Sequence, residues 1–184
     1  MALFLFSLYE GFTIDKHLIA VGDISLKGNI LPAFDMAEKI TMANKSYKNI
    51  MLISHLEYDA IMDATIQFGH KALWKCQIIA ARDLSQAIHI ARKDRPQLLA
   101  QAIEEFKSIQ KMLVIDPKRI SSAKSSLIRK LKSVLKKAPN HYSAKALLEL
   151  LQGKPRRYLS LYTSLDLFMK TTHHILDEIN DKKT

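Results

Sequence analysis

Residues 21–46 constrain the fold more than any other stretch, because glycine and proline punctuate them at telling places. Gly22 and Gly28 bracket the short alternation Ile24, Ser25 and Leu26, the pattern of a tight β excursion. Pro32 then stops any strand, since it lacks the N–H that a ladder needs. Beyond it Met36, Ile40, Ala43 and Tyr47 recur at helical spacing, so a helix with one apolar face is expected. A strand end, a hairpin, a stop and a helix follow one another without a gap.

The flanks extend this order. A buried strand over 18–21 feeds the hairpin, and apolar runs at 49–53 and 76–81 read as strands covered on both faces. Between those runs Ile61, Met62, Thr65 and Ile66 predict a helix over 58–68. Asp83, with Gln86 three residues on, caps a helix whose inner face is Leu84, Ala87, Ile88 and Ala91. The first half is therefore α/β, a short mixed sheet with helices.

From Pro96 onward no strand pattern recurs, and an all-α appendage of about four helices is expected. The first buries Leu99, Ala102, Ile103, Phe106, Ile109 and Leu113. Asp116 and Pro117 open the second, with Ile120, Ala123, Leu127, Leu131, Val134 and Leu135 inward. Asn140 caps the third, which runs through Ala144, Leu147, Leu148 and Leu151 and ends at Gly153. Ser164 or Thr163 caps the fourth, with Leu165, Phe168, Thr172, Ile175 and Ile179 inward. The loop from Pro155 to Ser160 is expected to pack its apolar residues back on the helices.

Charge shifts where the pattern does. Residues 1–93 hold ten Lys/Arg and nine Asp/Glu, and residues 94–184 hold eighteen and nine. Two units are expected, 1–93 and 94–184, with the cleavable linker between Arg92 and Gln97.

The run Gly-Asp-Ile-Ser-Leu-Lys-Gly-Asn-Ile-Leu-Pro-Ala-Phe-Asp-Met-Ala-Glu-Lys-Ile resembles a stretch of Lon-type (S16) serine peptidase domains. There the order is G-E-[IV]-x-L-x-G-x-[VI]-L-P-[IV]-G-G-[LIV]-K-E-K-[LIV]. Gly22, Asp23, Leu26, Gly28, Leu31, Pro32, Glu38 and Lys39 carry the likeness. It implies the second half of a Lon-like fold, with residues 2–10 as the helix that follows the nucleophile. For the family it implies an ATP-dependent Ser-Lys endopeptidase. The departures fall on that chemistry. The family's Gly-Gly pair is Phe34-Asp35, its general-base lysine is Ala37, and the threonine that orients this lysine is Val21. Lys39 is no replacement, because two residues along a helix turn a side chain about 200° away. The family's serine turn has no counterpart, and Ser7 sits within an apolar helix.

A second likeness lies at Ala138, Pro139, Asn140, Ala144, Leu148 and Gly153, which resemble the joint between tetratricopeptide repeats. One joint is not an array. The whole arrangement is similar to bacterial S16-like proteins in which a Lon-like domain carries a helical C-terminal extension.

No phosphate loop or zinc spacing occurs, and neither cofactor nor metal is called for. His173, His174, Asp177 and Glu178 share one helix, as a solvated face does. Cys76, the one cysteine, is read as a buried thiol. Lys124, Arg129, Lys130, Lys132, Lys136 and Lys137 form a basic stripe with no acid between them, and Arg156 and Arg157 follow. Such a stripe can face phosphates or an anionic membrane surface, though no aromatic or bidentate readers accompany it. The opening segment is too short to span a bilayer, so a cytoplasmic protein without a membrane span is expected.

Three functions follow in order. The first is a catalytically inactive Lon-like module for protein interaction or self-association. The second is the C-terminal part of a split or truncated Ser-Lys endopeptidase, whose nucleophile half an upstream frame would encode. The third is a basic nucleic-acid adaptor.

Overall fold

The computed structural model describes residues 2–154 and 158–181, and their side chains except those of Tyr162 and residues 174–181. Helix α1 (Ala2–Glu10) leads to β1 (Leu18–Ala20), then to a hairpin of β2 (Asp23–Ile24) and β3 (Ile30–Leu31). Gly22 has to be glycine, because a Cβ there would meet the Leu31 carbonyl oxygen at 2.7 Å and φ is +133°. Helix α2 (Met36–Lys45), β4 (Ile50–Ser54), α3 (Tyr58–Phe68), β5 (Gln77–Ala81) and α4 (Leu84–Ala91) complete the first half. β1, β4 and β5 form a parallel three-stranded sheet in that order, with Leu18 opposite Ile50 and Ile50 opposite Gln77.

The sheet is covered on both faces, as the unbroken apolar runs predict. Met51, Ile53, Ile78 and Ala80 enter the larger core with α2 and α3, while Ile50, Leu52, Ile79 and Ala81 point to α4. Neighbouring residues of a strand thus serve opposite layers. Asp83 caps α4 as expected, accepting from Gln86 N at 2.9 Å, although Ile90 is buried where Leu84 was expected. Tyr47 is exposed beyond the end of α2.

The second half is helical: α5 (Gln97–Ile115), α6 (Arg119–Ser122), α7 (Lys124–Lys137), α8 (Tyr142–Leu151) and α9 (Leu161–Asp181). α5, α7 and α8 pack side by side, and their Phe106, Leu113, Leu131 and Leu147 share one core with Met51 and Ile78 of the sheet. Between the halves, the largely buried pair of Arg95 and Asp15 meets at 2.7 Å, and Arg95 Nε donates to Ile90 O at 2.6 Å. The shift in composition marks a change of architecture, not a gap in packing.

Several local expectations are corrected. The helix expected after Pro117 is two, broken at Ala123, whose φ and ψ of −110° and 24° are not helical. His141, not Asn140, caps α8: its Nδ1 accepts from Ala144 N at 3.2 Å. Asn140 is taken up elsewhere, where Nδ2 donates to Ala80 O at 2.6 Å and its own carbonyl accepts from Ala80 N at 2.9 Å. With Ser143 Oγ accepting from Ile78 N at 2.8 Å, this segment closes the outer edge of β5. Ser160, not Ser164 or Thr163, opens α9, and its Oγ accepts from Thr163 N at 3.2 Å. Leu165 and Phe168 are exposed rather than inward. Tyr158 is exposed too, while Pro155, Arg156 and Arg157 lie outside the described residues.

Candidate functional site

The stretch from Pro32 to Glu38, α3 and the start of α9 line a half-open cavity of about 470 Å³. Its near wall is set by Glu57, a buried carboxylate at the end of a 3-10 turn. Oε1 accepts from Ala33 N at 2.8 Å and Oε2 from Ser54 N at 3.0 Å. Burial pushes this carboxyl above its ordinary range against both of those N–H groups. Ser54 Oγ donates to Ile30 O at 2.8 Å and ties the same turn to the hairpin. A local capping box thereby holds the loop that lines the cavity.

That loop contains Asp35, at φ 54° the one non-glycine residue in the left-handed region among the described residues. Aspartate tolerates this region better than most side chains. It opens α2 without a side-chain capping bond, and its carboxylate turns to Lys170 of α9 at 3.1 Å. Lys170 also meets Asp166 at 3.1 Å and Glu38 at 3.3 Å. Hydrogen bonds to Asp166, then Asp35 and Glu38, hold its ammonium well above the usual range, so it is a fixed cation and no base.

The opposite wall is a polar clasp. Asp63, buried in α3, accepts from Ser160 N at 2.9 Å, Ser160 Oγ at 2.5 Å and Thr163 Oγ1 at 2.7 Å. The two hydroxyls converge on the same oxygen, Asp63 Oδ2, and tie the start of α9 to α3. Between these walls the floor is apolar, with Met36, Ala37, Leu56, Ala60 and Leu167.

Of the residues singled out in the sequence, Ala37 lines the cavity. Lys39 does not; its Nζ donates to the Phe34 carbonyl. Val21 packs on the larger core and donates its N–H to Leu52 O at 2.9 Å. Ser7 Oγ is spent within α1, on Phe4 O at 2.8 Å. Residues that matter here but went unnoticed are Glu57, Asp63, Ser160 and Lys170. Asp63 alone carried a signal, as an acid on the buried side of an apolar helix.

The basic stripe lies elsewhere, on α7. Lys124, Arg129, Lys132 and Lys136 are exposed, Lys130 half-buried, and the inner face is Leu127, Leu131 and Val134. Lys137 is drawn out of the stripe by Glu105 of α5, 2.7 Å away. Arg156 and Arg157 fall outside the described residues. No group of three or more metal-binding side chains is placed to hold an ion among the described residues, and His173 is exposed. The side chains of His174, Asp177 and Glu178 are outside that set. Cys76 is buried and free, its thiol pushed up to about 12 by burial. No helix among the described residues is long and apolar enough to cross a membrane.

What fold and site define is a mixed α/β protein with a parallel sheet and a cavity of apolar floor and acidic rim. Compared with known proteins, the chain matches no family model and no curated protein.

Proposed function

We propose that this chain is a catalytically inactive Lon-like module for protein interaction or assembly. The observation that carries the reading is a cavity built on the glycine-punctuated stretch, yet with the methyl of Ala37 where the resemblance calls for a lysine. Asp35 supports it, since it holds a left-handed φ where the resembling pattern has glycine. An apolar floor under an acidic rim suits a partner segment that mixes apolar and basic side chains.

The purified chain is expected to leave casein intact, with or without ATP. Ala37→Lys should not start turnover, because a dyad needs both members in contact. Turnover blocked by a serine-directed reagent yet surviving Ser7→Ala would sink the reading, as would turnover abolished by Lys39→Ala.

The stripe on α7 supports a second reading, a basic nucleic-acid adaptor. Its test is the joint change of Lys130, Lys132 and Lys136 to Ala, followed by duplex DNA binding at rising salt. If these lysines meet phosphates, binding should weaken, and the log-log salt slope should shrink by about 0.9 for every phosphate no longer neutralised. Binding that ignores both salt and these residues leaves the stripe a solvated face. In either case stability should move by no more than about 0.5 kcal/mol per lysine.

A further inference from the structure

Helix α1 carries more apolar surface than the fold covers. Ser7 is buried and Leu3 packs partly buried on the smaller core, while Phe4, Leu5, Leu8 and Tyr9 are 58%, 57%, 65% and 88% exposed. These four stand at i, i+1, i+4 and i+5, so they form one continuous stripe on the outer face. A monomer gains nothing from this order, because a surface helix normally turns its apolar stripe to the core and its polar face to water.

We propose that α1 is the contact face of a twofold dimer of this chain, two copies of the helix packing antiparallel across the axis. The area is sufficient. Taking about 200 Å² for a fully exposed ring and somewhat less for leucine, the stripe presents roughly 500 Å² per copy. Two copies bury roughly 1,000 Å², the lower edge of what a specific interface requires. The charge is compatible as well. The chain is strongly basic, at +10, but α1 holds no basic residue and a single acid, Glu10, at its end. An isologous contact sets each patch against itself, so a charged patch would repel its own copy and an uncharged one does not. A partner selected by charge would be drawn to α7, not here.

The full chain is expected to pass from monomer to dimer in sedimentation equilibrium between about 1 and 200 µM, the range suited to an interface of this size. Leu5→Glu together with Leu8→Glu should keep it monomeric throughout, with an unchanged far-UV spectrum and, at concentrations where the wild type is monomeric, an unchanged melting curve, as both side chains point outward. Antiparallel packing sets Leu5 opposite Leu8 of the other copy. A mixture of Leu5→Cys and Leu8→Cys chains should therefore oxidise to the mixed disulfide in preference to either symmetric one; Cys76, being buried, does not compete. Three results would overturn the proposal: a wild type that stays monomeric at the top concentration, a dimer that survives the double change, or symmetric disulfides in place of the mixed one. Flotation of the wild type with neutral phosphatidylcholine vesicles, abolished in the double variant, would instead assign the stripe to a lipid surface and overturn it as well. None of these results bears on casein turnover, so the reading of the cavity stands or falls separately.

Discussion

Lowering the pH from 7 to 4.5 is expected to strip the protein of roughly 2.5–3 kcal/mol through a single residue, His141. Its ring is fully buried, 4.4 Å from the Phe106 ring. Nδ1 accepts from Ala144 N, so Nε2 carries the proton and donates to Gln77 Oε1 at 3.0 Å. Both nitrogens are satisfied only in the neutral form, and desolvation drives the pKa from 6.5 down to about 3. The unfolded chain takes up a proton below 6.5 that the folded chain refuses until about pH 3. Stability is thus complete above 6.5 and falls with pH at about 1.4 kcal/mol per unit across that window. Urea melts of wild type and His141→Gln at several pH values isolate this contribution. The difference between them should change below pH 6.5, as only the wild type carries the histidine's proton linkage, and parallel curves would refute the assignment. His141→Ala should cost about 3–5 kcal/mol at pH 7, since it opens a cavity and leaves Gln77 Oε1 without its donor.

Asp63→Ala is expected to cost about 3 kcal/mol and to free the first turn of α9. Three donors from Ser160 and Thr163 end on this one carboxylate, which is itself buried while its donors are half-buried. Lys170→Ala offers the contrast. Its ion pairs with Asp35, Glu38 and Asp166 are solvent-exposed, and water and salt screen such pairs until they contribute little. Amide exchange over 161–168 should therefore rise sharply in Asp63→Ala and little in Lys170→Ala. Equal protection in both variants would mean that something other than the clasp holds α9.

How much of this was legible in the sequence depended on range. The hairpin at Gly22, the strands at 50–54 and 77–81, and the cap of Asp83 on α4 follow from residues a few positions apart. Glycine conformation, apolar runs and side-chain caps act at that distance, so the chain alone dictates them. The cavity was only half legible: its Pro32–Glu38 wall stands in a recognisable order, while Asp63 and Ser160 meet across 97 residues.

Where local chemistry offered more than one solution, only the tertiary structure chose. Asn140 is a good helix cap by itself, but the open edge of β5 claims its side chain, and the cap passes to His141. Ser160 likewise takes the start of α9 from Thr163 and Ser164, because Asp63 is there to bind it. The apolar stripe of α9 shows the same limit from the other side: periodicity says that a face is apolar, not which way it points. Direction is set by which buried surfaces and unpaired backbone groups lie within reach, and those are assembled from residues far apart in the chain.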